Sequence, residues 1–342
     1  MIDTGALLRA YKKNGFYSLQ LEIGDKCFQN CLYCYMNALP NEKNTLSDAD
    51  ISSILEDCHE LGFNAVEWLG GEPLLRNSIF DHMEHAKELR LRNNIWTGGL
   101  PLIDDEIAVH CVDLAKHGLI SVHLSTTDPD LYEQLHPRRT RKDIRTILDA
   151  VENVLDLGYP PSQMLNSVTF TGLQHPEDMI KTIDLFENLY GIFTSLNVYH
   201  TYLRPGSDPG DLNKFIPKAQ DVAKVFSRLK EQTGENLPMN CVNKQYCSTT
   251  VAVLSDGSVT PCATIREEIA PNIHEDRLGS ICQRYRDHLT ISKFRSKDNL
   301  PDGCKNCIMT ETCFGCRARA FSSGKGIYGL DPRCFRSSST FR

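Results

Sequence analysis

The sequence predicts an α/β protein: six β/α repeats forming a parallel sheet with helices outside, followed by a smaller cysteine-rich region containing a β-hairpin. Over the first two thirds of the chain, short apolar runs of strand character alternate with amphipathic stretches of helical length. That is the pattern of a parallel sheet whose crossovers are helices. After about Gly234 the alternation stops, and the chain becomes turn-rich. The third observation is the cysteine pattern: of fourteen cysteines in 342 residues, eleven fall into two ordered groups.

The first strand reads at 17–23, and five more follow at 65–69, 94–97, 119–124, 166–170 and 195–200. Helical stretches lie between them at 47–61, 81–90, 104–117, 142–157 and 176–189, with a sixth at 217–232. The first opens on a capping sequence, Ser47-Asp-Ala-Asp50. A sheet of this kind carries its chemistry at the C-terminal ends of its strands. Further on, Asp256-Gly257 separates two β-like runs at 250–254 and 258–260, which is a hairpin signal. This last region has too little continuous apolar pattern to hold itself together, so it is expected to need staples, and metals are one kind. The expected division is a barrel-forming part at 1–215, a bridging helix at 216–236 and a cysteine-rich part at 237–342.

The formal net charge of −7 argues against a nonspecific nucleic-acid or anionic-membrane binder. No apolar run approaches the length of a membrane span. The first residues lack the basic start and apolar core of a secretory signal. A cytoplasmic protein is expected, with its cysteines reduced when no metal is present. Thiols this dense in a reducing compartment are metal ligands more often than disulfide partners.

The first group is Cys27, Cys31 and Cys34, spaced C-x3-C-x2-C directly after strand one. A [4Fe–4S] cluster normally takes four thiolates. Three leave one iron open to a substrate or cofactor. The spacing does not suit zinc, whose pairs are usually followed by a second pair or by histidines. With Tyr33 before its last cysteine, the run resembles the radical SAM family, in which that aromatic lies near the adenine. The family also carries a Gly-Gly-Glu-Pro turn after strand two, and this chain has Gly70, Gly71, Glu72 and Pro73 there. The resemblance implies that this turn meets the amino group of S-adenosylmethionine. Glycines admit close backbone approach, and a carboxylate suits an ammonium. It further implies Ser125, at the end of strand four, and Arg145, on the next helix, as holders of the cofactor carboxylate. Arg138, Arg139 and Arg141 compete with Arg145, which reads equally well as a residue of a solvated helix face.

The second group is Cys241, Cys247, Cys262, Cys304, Cys307, Cys313, Cys316 and Cys334. Its spacing, with Gly257 at the hairpin, resembles the SPASM extension of radical SAM enzymes that mature ribosomal peptides and sulfatases. The family usually has three residues between the last pair of the central group, whereas this chain has two, Phe314 and Gly315. The resemblance implies two auxiliary clusters, one on Cys241, Cys247, Cys262 and Cys316, the other on Cys304, Cys307, Cys313 and Cys334. The alternative is a zinc-ribbon-like tail, and iron content separates the two, since three [4Fe–4S] clusters predict about twelve Fe per chain. Cys58 and Cys111 read as core residues, and Cys282 as structural.

As a whole the resemblance implies a partial (β/α)6 parallel barrel with a SPASM extension. The implied reaction is reductive cleavage of S-adenosylmethionine to a 5′-deoxyadenosyl radical, fed by an external donor of flavodoxin or ferredoxin type, and hydrogen abstraction from an unactivated C–H bond. SPASM membership points to a ribosomal peptide or protein substrate, cross-linked or oxidised. The alternative is the same chemistry on a sugar, nucleoside or aminocyclitol, by dehydrogenation, epimerisation or decarboxylation. The short stretch before strand one favours it, because it leaves no fused peptide-recognition domain. A non-catalytic electron-transfer or zinc-binding role is disfavoured by the Gly-Gly-Glu-Pro turn. Sulfatase-maturing enzymes carry an acid directly after the third ligand of the first auxiliary cluster, where this chain has Ala263, so that activity is not expected. Near the strand ends, Tyr199, His200 and Tyr202 offer groups that donate or accept protons and Arg204 a cation for an anionic substrate; each reads at least as well as a structural rim residue, and His123 reads as a core histidine.

Overall fold

In the computed structural model, the described residues are 2–38, 40, 46–200, 202, 212–239 and 242–337. Strands β1 (Ser18–Glu22), β2 (Ala65–Leu69), β3 (Arg92–Trp96), β4 (Leu119–Val122), β5 (Met164–Phe170) and β6 (Phe193–Val198) pair side by side, all parallel. Helices Asp48–Glu60, Ile79–Glu88, Asp105–Leu114, Lys142–Asp156 and Pro176–Tyr190 make the crossovers. The first is stopped at its N-terminus as its sequence predicts. Ser47 Oγ accepts from the Asp50 amide at 3.1 Å, and the Asp50 carboxylate accepts from the Ser47 amide at 2.8 Å, a capping box.

Before β6, two α-helices were not anticipated, Thr4–Lys12 and Pro129–Leu135. Both start on an aspartate cap, Asp3 accepting from Ala6 N at 2.9 Å and Asp128 from Leu131 N at 2.8 Å. Asp128-Pro129 is itself a helix-start signal, since proline suits the first helical position.

The strands alternate in a way that decides where the chemistry sits. Leu19, Leu21, Val66, Trp68, Ile95 and Ile120 turn outward into one core with Ile51, Ile54, Met83, Ala108 and Val151 of the helices. The other face is polar. Gln20, Trp96, Ser121, Ser167, Thr169 and Asn197 line a cavity of ≈ 320 Å³. A sheet whose members from β1 to β6 all reach one cavity is curled around it, as in a partial barrel.

The hairpin does not stand apart from this barrel. Its first strand, β7 (Thr250–Val253), runs parallel to β1, from Ser18 opposite Thr250 to Leu21 opposite Val253. Its second, β8 (Val259–Thr260), pairs antiparallel to β7. The sheet therefore has eight strands in the order β6-β5-β4-β3-β2-β1-β7-β8. Helix Leu278–Arg284 also joins the main core, placing Leu278, Ile281 and Cys282 with Ile54 and Cys58. The cysteine-rich part thus borrows the barrel's core and adds small clusters of its own, such as Ile291, Phe294, Leu300, Cys304 and Phe314. Cys58, Cys111 and Cys282 are fully buried in the main core, as expected of packing residues.

Candidate functional site

The loop that follows β1 brings Cys27, Cys31 and Cys34 to the cavity at the C-terminal end of the sheet. Burial pushes the Cys27 thiol up to about 12, so it is protonated at neutral pH unless a metal displaces the proton. Gly70 and Gly71 line the same cavity. Their first role is to let two loops touch. Gly71 N donates to Gly24 O at 2.9 Å and Glu72 N to Lys26 O at 2.8 Å. A Cβ on Gly71 would lie within 3.0 Å of Lys26 O, and one on Gly70, at φ +138°, within 3.0 Å of Gly24 O. The glycines thus hold the cysteine loop against the end of β2, in addition to exposing backbone to the cavity.

Glu72 turns away from the cavity. Its carboxylate accepts from Thr97 Oγ1 at 2.8 Å, Gly98 N at 2.7 Å and Leu74 N at 3.3 Å. Burial raises its pKa to about 7 against those three bonds. Neither Glu72 nor Pro73 lines the cavity wall, so the carboxylate stitches the end of β2 to the end of β3. Gln29, between the first two cysteines, reaches the same place and donates to Gly98 O at 2.8 Å.

Tyr33 is buried with its hydroxyl 2.6 Å from His123 Nε2, 3.1 Å from His136 Nε2 and 3.2 Å from Ser125 Oγ. His123 Nδ1 faces Ser167 O at 2.6 Å and His136 Nδ1 faces Tyr132 O at 3.0 Å. A carbonyl only accepts, so each Nδ1 carries the hydrogen and each Nε2 is left to accept. Desolvation lowers His123 to about 4 and His136 to about 3, which keeps both rings neutral. His123 therefore belongs to the cavity wall, not to an inert core as its strand position suggested. Ser125 sits behind Tyr33 and also accepts from Thr169 N at 3.2 Å.

Arg145 has to be corrected. Its side chain is 66% exposed on helix Lys142–Asp156 and pairs with Asp149 and Glu152 of the same helix. It points to solvent because the apolar stripe of that helix, Ile144, Ile147 and Val151, faces the sheet. Arg139 and Arg141 are likewise engaged, with Asp143 at 2.7 Å and Glu133 at 3.1 Å. None of these arginines lines the cavity.

The cavity's far wall comes from the cysteine-rich part. Cys247, Cys262 and Cys316 line it, with Ala263 and His200. Cys262 and Cys316 share one packed cluster. Cys304 lies near Cys307, Cys313 and Cys334, away from the cavity. Cys241 and Arg204 lie outside the described residues. Tyr199 donates to Tyr202 O and Tyr202 to Thr264 O, so both hydroxyls brace backbone. Burial lowers His200 to about 3.

Buried polar links join the two walls. Glu22, fully buried, pairs with Arg266 at 2.6 Å, and Gln20 Oε1 accepts from Ala263 N at 2.8 Å. Arg319 binds Asp331 at 2.8 and 3.0 Å and also donates to Val198 O and Met239 O. Asp331 in turn accepts from Cys316 N at 2.8 Å. Sequence reasoning missed Gln29, Trp96, Thr97, His136, Ser167, Thr169 and Asn197. For Ser167 and Thr169 a signal existed, the alternation with Val168 and Phe170 along β5. For His136 there was none.

The donor set fits iron–sulfur chemistry. Three thiols in one loop open onto a cavity whose opposite wall holds three more, and none of these six is in a disulfide among the described residues. Ser121, a residue of the cavity wall, has its Oγ buried without a hydrogen-bond partner among the described residues.

The model of the radical SAM superfamily matches residues 21–186, and that of the SPASM iron–sulfur cluster-binding domain matches residues 241–308. A protein of Methanothermobacter thermautotrophicus named probable GTP 3′,8-cyclase is 29% identical over 172 residues, 50% of this chain and 52% of that protein. The chain thus spans about half the length of that relative. Its namesake in Methanothermobacter marburgensis is 24% identical over 266 residues, 72% of this chain and 83% of the other. Streptococcus suis SuiB bound to S-adenosylmethionine superposes with a TM-score of 0.66 at 19% identity, over 96% of this chain and 80% of that one. Native anSMEcpe with bound AdoMet and the Cp18Cys peptide gives 0.68 at 16% identity, over 95% of each. These two likenesses show the fold. Among the described residues no helix is long and apolar enough to cross a membrane.

Proposed function

The chain is a radical SAM enzyme with a SPASM iron–sulfur domain, and from that premise we propose that it modifies a ribosomal peptide or protein by abstracting hydrogen from an unactivated C–H bond. When bound, S-adenosylmethionine and its cluster supply the 5′-deoxyadenosyl radical. In this reading Cys27, Cys31 and Cys34 hold the cluster that binds the cofactor. Gly70 and Gly71 offer backbone to it, and Tyr33 forms the wall beside it. Cys241, Cys247, Cys262 and Cys316 hold one auxiliary cluster, and Cys304, Cys307, Cys313 and Cys334 the other. Electrons come from a donor of flavodoxin or ferredoxin type.

The observation that carries the substrate reading is the charge of the cavity. Its described lining contains no Asp, Glu or Lys, and its one Arg, Arg317, is bonded to backbone carbonyls. A nucleoside triphosphate, the substrate class in the names of the two curated relatives, would bring several negative charges to a wall whose one cation among those residues is 3% exposed and turned to backbone carbonyls. The hydroxyls and amides of Ser167, Thr169, Asn197 and Thr250 suit neutral donors and acceptors, such as peptide groups. Ala263 offers no acid in this wall, which supports a reaction other than sulfatase maturation. The same neutral, hydroxyl-rich lining favours the second reading, a neutral sugar or nucleoside.

The test is anaerobic reconstitution, reduction and addition of S-adenosylmethionine with deuterated candidate substrates. Deuterium is expected to pass from a peptide into 5′-deoxyadenosine. Transfer from a sugar, a nucleoside or GTP would refute the peptide reading. Absence of 5′-deoxyadenosine from fully loaded protein would refute the mechanism.

A further inference from the structure

Arg317 is 3% exposed, and among the described residues no carboxylate lies within 4.0 Å of its guanidinium. Asp331, which lies on the other side of Gly315, is committed to Arg319 at 2.8 Å. Arg317 instead donates to carbonyls: Nη1 to Ile327 O at 3.0 Å and Gly329 O at 2.6 Å, Nη2 to Phe314 O, and Nε toward Gly315 O at 3.4 Å. The rings of Phe294 and Phe314 lie 5.0 and 5.4 Å from it. Carbonyl dipoles solvate a cation but do not neutralise it, and a buried charge is costly unless an anion shares its space.

Thiols of both auxiliary sets are its neighbours: Cys316 of one precedes it in the chain and lines the same cavity, and Cys304 of the other packs in one cluster with Phe294 and Phe314, whose rings flank the guanidinium. Thiols are neutral, but metal coordination converts them to thiolates. The short spacing between Cys313 and Cys316 builds this position. Gly315 takes φ +73°, and a Cβ there would lie within 3.0 Å of Arg317 Nη2 and Asp331 Cβ. The tight turn leaves room for the arginine beside its own cysteines.

We propose that Arg317 is the counter-cation shared by the two auxiliary thiolate sets and that its charge makes both clusters easier to reduce. This rests on the two-cluster reading above. A fixed positive charge favours the more negative, reduced state of each cluster, so it raises both potentials.

The experiment is an EPR-monitored redox titration in a chain carrying Cys27→Ala, Cys31→Ala and Cys34→Ala, which leaves only auxiliary signals. Arg317→Gln is expected to lower the reduced-to-oxidised ratio of both clusters at least about tenfold at fixed potential, a shift of ~59 mV for a one-electron couple. Arg317→Lys, which keeps the charge, is expected to stay within about threefold of the parent, under half that shift. The proposal is overturned if Gln leaves both clusters unshifted, if only one moves, or if Lys moves both as far as Gln. Should Gln fail to take up iron, retention in Lys supports the charge, and loss in both variants refutes it. A parent chain with no auxiliary [4Fe–4S] signal would sink the two-cluster reading itself, which is a different failure.

Discussion

Gly71→Ala tests whether the Gly-Gly turn holds the cysteine loop in place. The new Cβ would fall within 3.0 Å of Lys26 O and of the Lys26 and Asp25 carbonyl carbons. All three are backbone atoms, so no side-chain rotation relieves the clash. Relief requires the two loops to part, which breaks the Gly71–Gly24 and Glu72–Lys26 bonds of 2.9 and 2.8 Å. Two backbone bonds at ~1 kcal/mol each, with ~1–3 kcal/mol for overpacking, give a local destabilisation of ~3–5 kcal/mol. That corresponds to about a 150- to 5,000-fold faster opening-limited exchange of the Gly71 and Glu72 amides. Hydrogen exchange resolved by mass spectrometry across 68–76 measures it directly. The displaced loop should also lose iron, about four of the expected twelve. Gly62→Ala is the control, since Gly62 also has positive φ (+77°) but nothing within 4 Å of its Cβ, and strain alone is ~1–2 kcal/mol. Exchange within about threefold of wild type, together with full iron, would refute the loop-apposition account.

Two further outcomes are expected. Glu72 has its pKa raised from 4.5 to about 7, chiefly by burial, so the folded state holds this proton more tightly than the unfolded one. Its contribution is full below about pH 4.5 and declines as pH rises through about 7, ~3 kcal/mol in all. Thermal unfolding of wild type and Glu72→Gln between pH 5.5 and 8 should show wild type losing stability relative to the variant as pH rises, and parallel profiles would contradict this. Arg145→Ala should leave iron content, S-adenosylmethionine affinity and 5′-deoxyadenosine formation unchanged, because its partners Asp149 and Glu152 are on its own helix. A raised KM for S-adenosylmethionine would return Arg145 to the site.

The barrel strands were legible because each is a short apolar run bounded by turn residues, and β2 was read with its observed limits. The cysteine triplet and its place after β1 were legible because spacing is local. What escaped the reading is non-local. That β7 pairs with β1 follows from edge complementarity between segments more than 200 residues apart, and no pattern within either announces the other. Glu72 was read as a ligand for an ammonium because its residue type suits one. Its orientation is set by Thr97 and Gly98, on a different strand end. Arg145 was assigned to the cofactor carboxylate by the family resemblance, whereas the stripe of Ile144, Ile147 and Val151 decides which way that helix faces.

The way the cysteine-rich part is attached bears on what the cavity can admit. Its hairpin continues the barrel sheet, and Tyr246 donates to Glu67, a carboxylate already holding Ser18, Asn94 and Trp96 at 2.6–2.7 Å inside the barrel. Glu22–Arg266 and Arg319–Asp331 are largely or wholly buried ion pairs, and removing one partner of such a pair costs ~3–5 kcal/mol. Links of this kind to β1, β2 and β6 leave little freedom for the extension to swing against the barrel. The wall carrying Cys262 and Cys316 is therefore held at a set distance from the wall carrying Cys27 and Cys31. A substrate must fit a space shaped by both. Substitutions in the hairpin or at Arg266 should then alter substrate fit and cluster placement together, so the extension acts as much as a wall of the reaction chamber as a carrier of clusters.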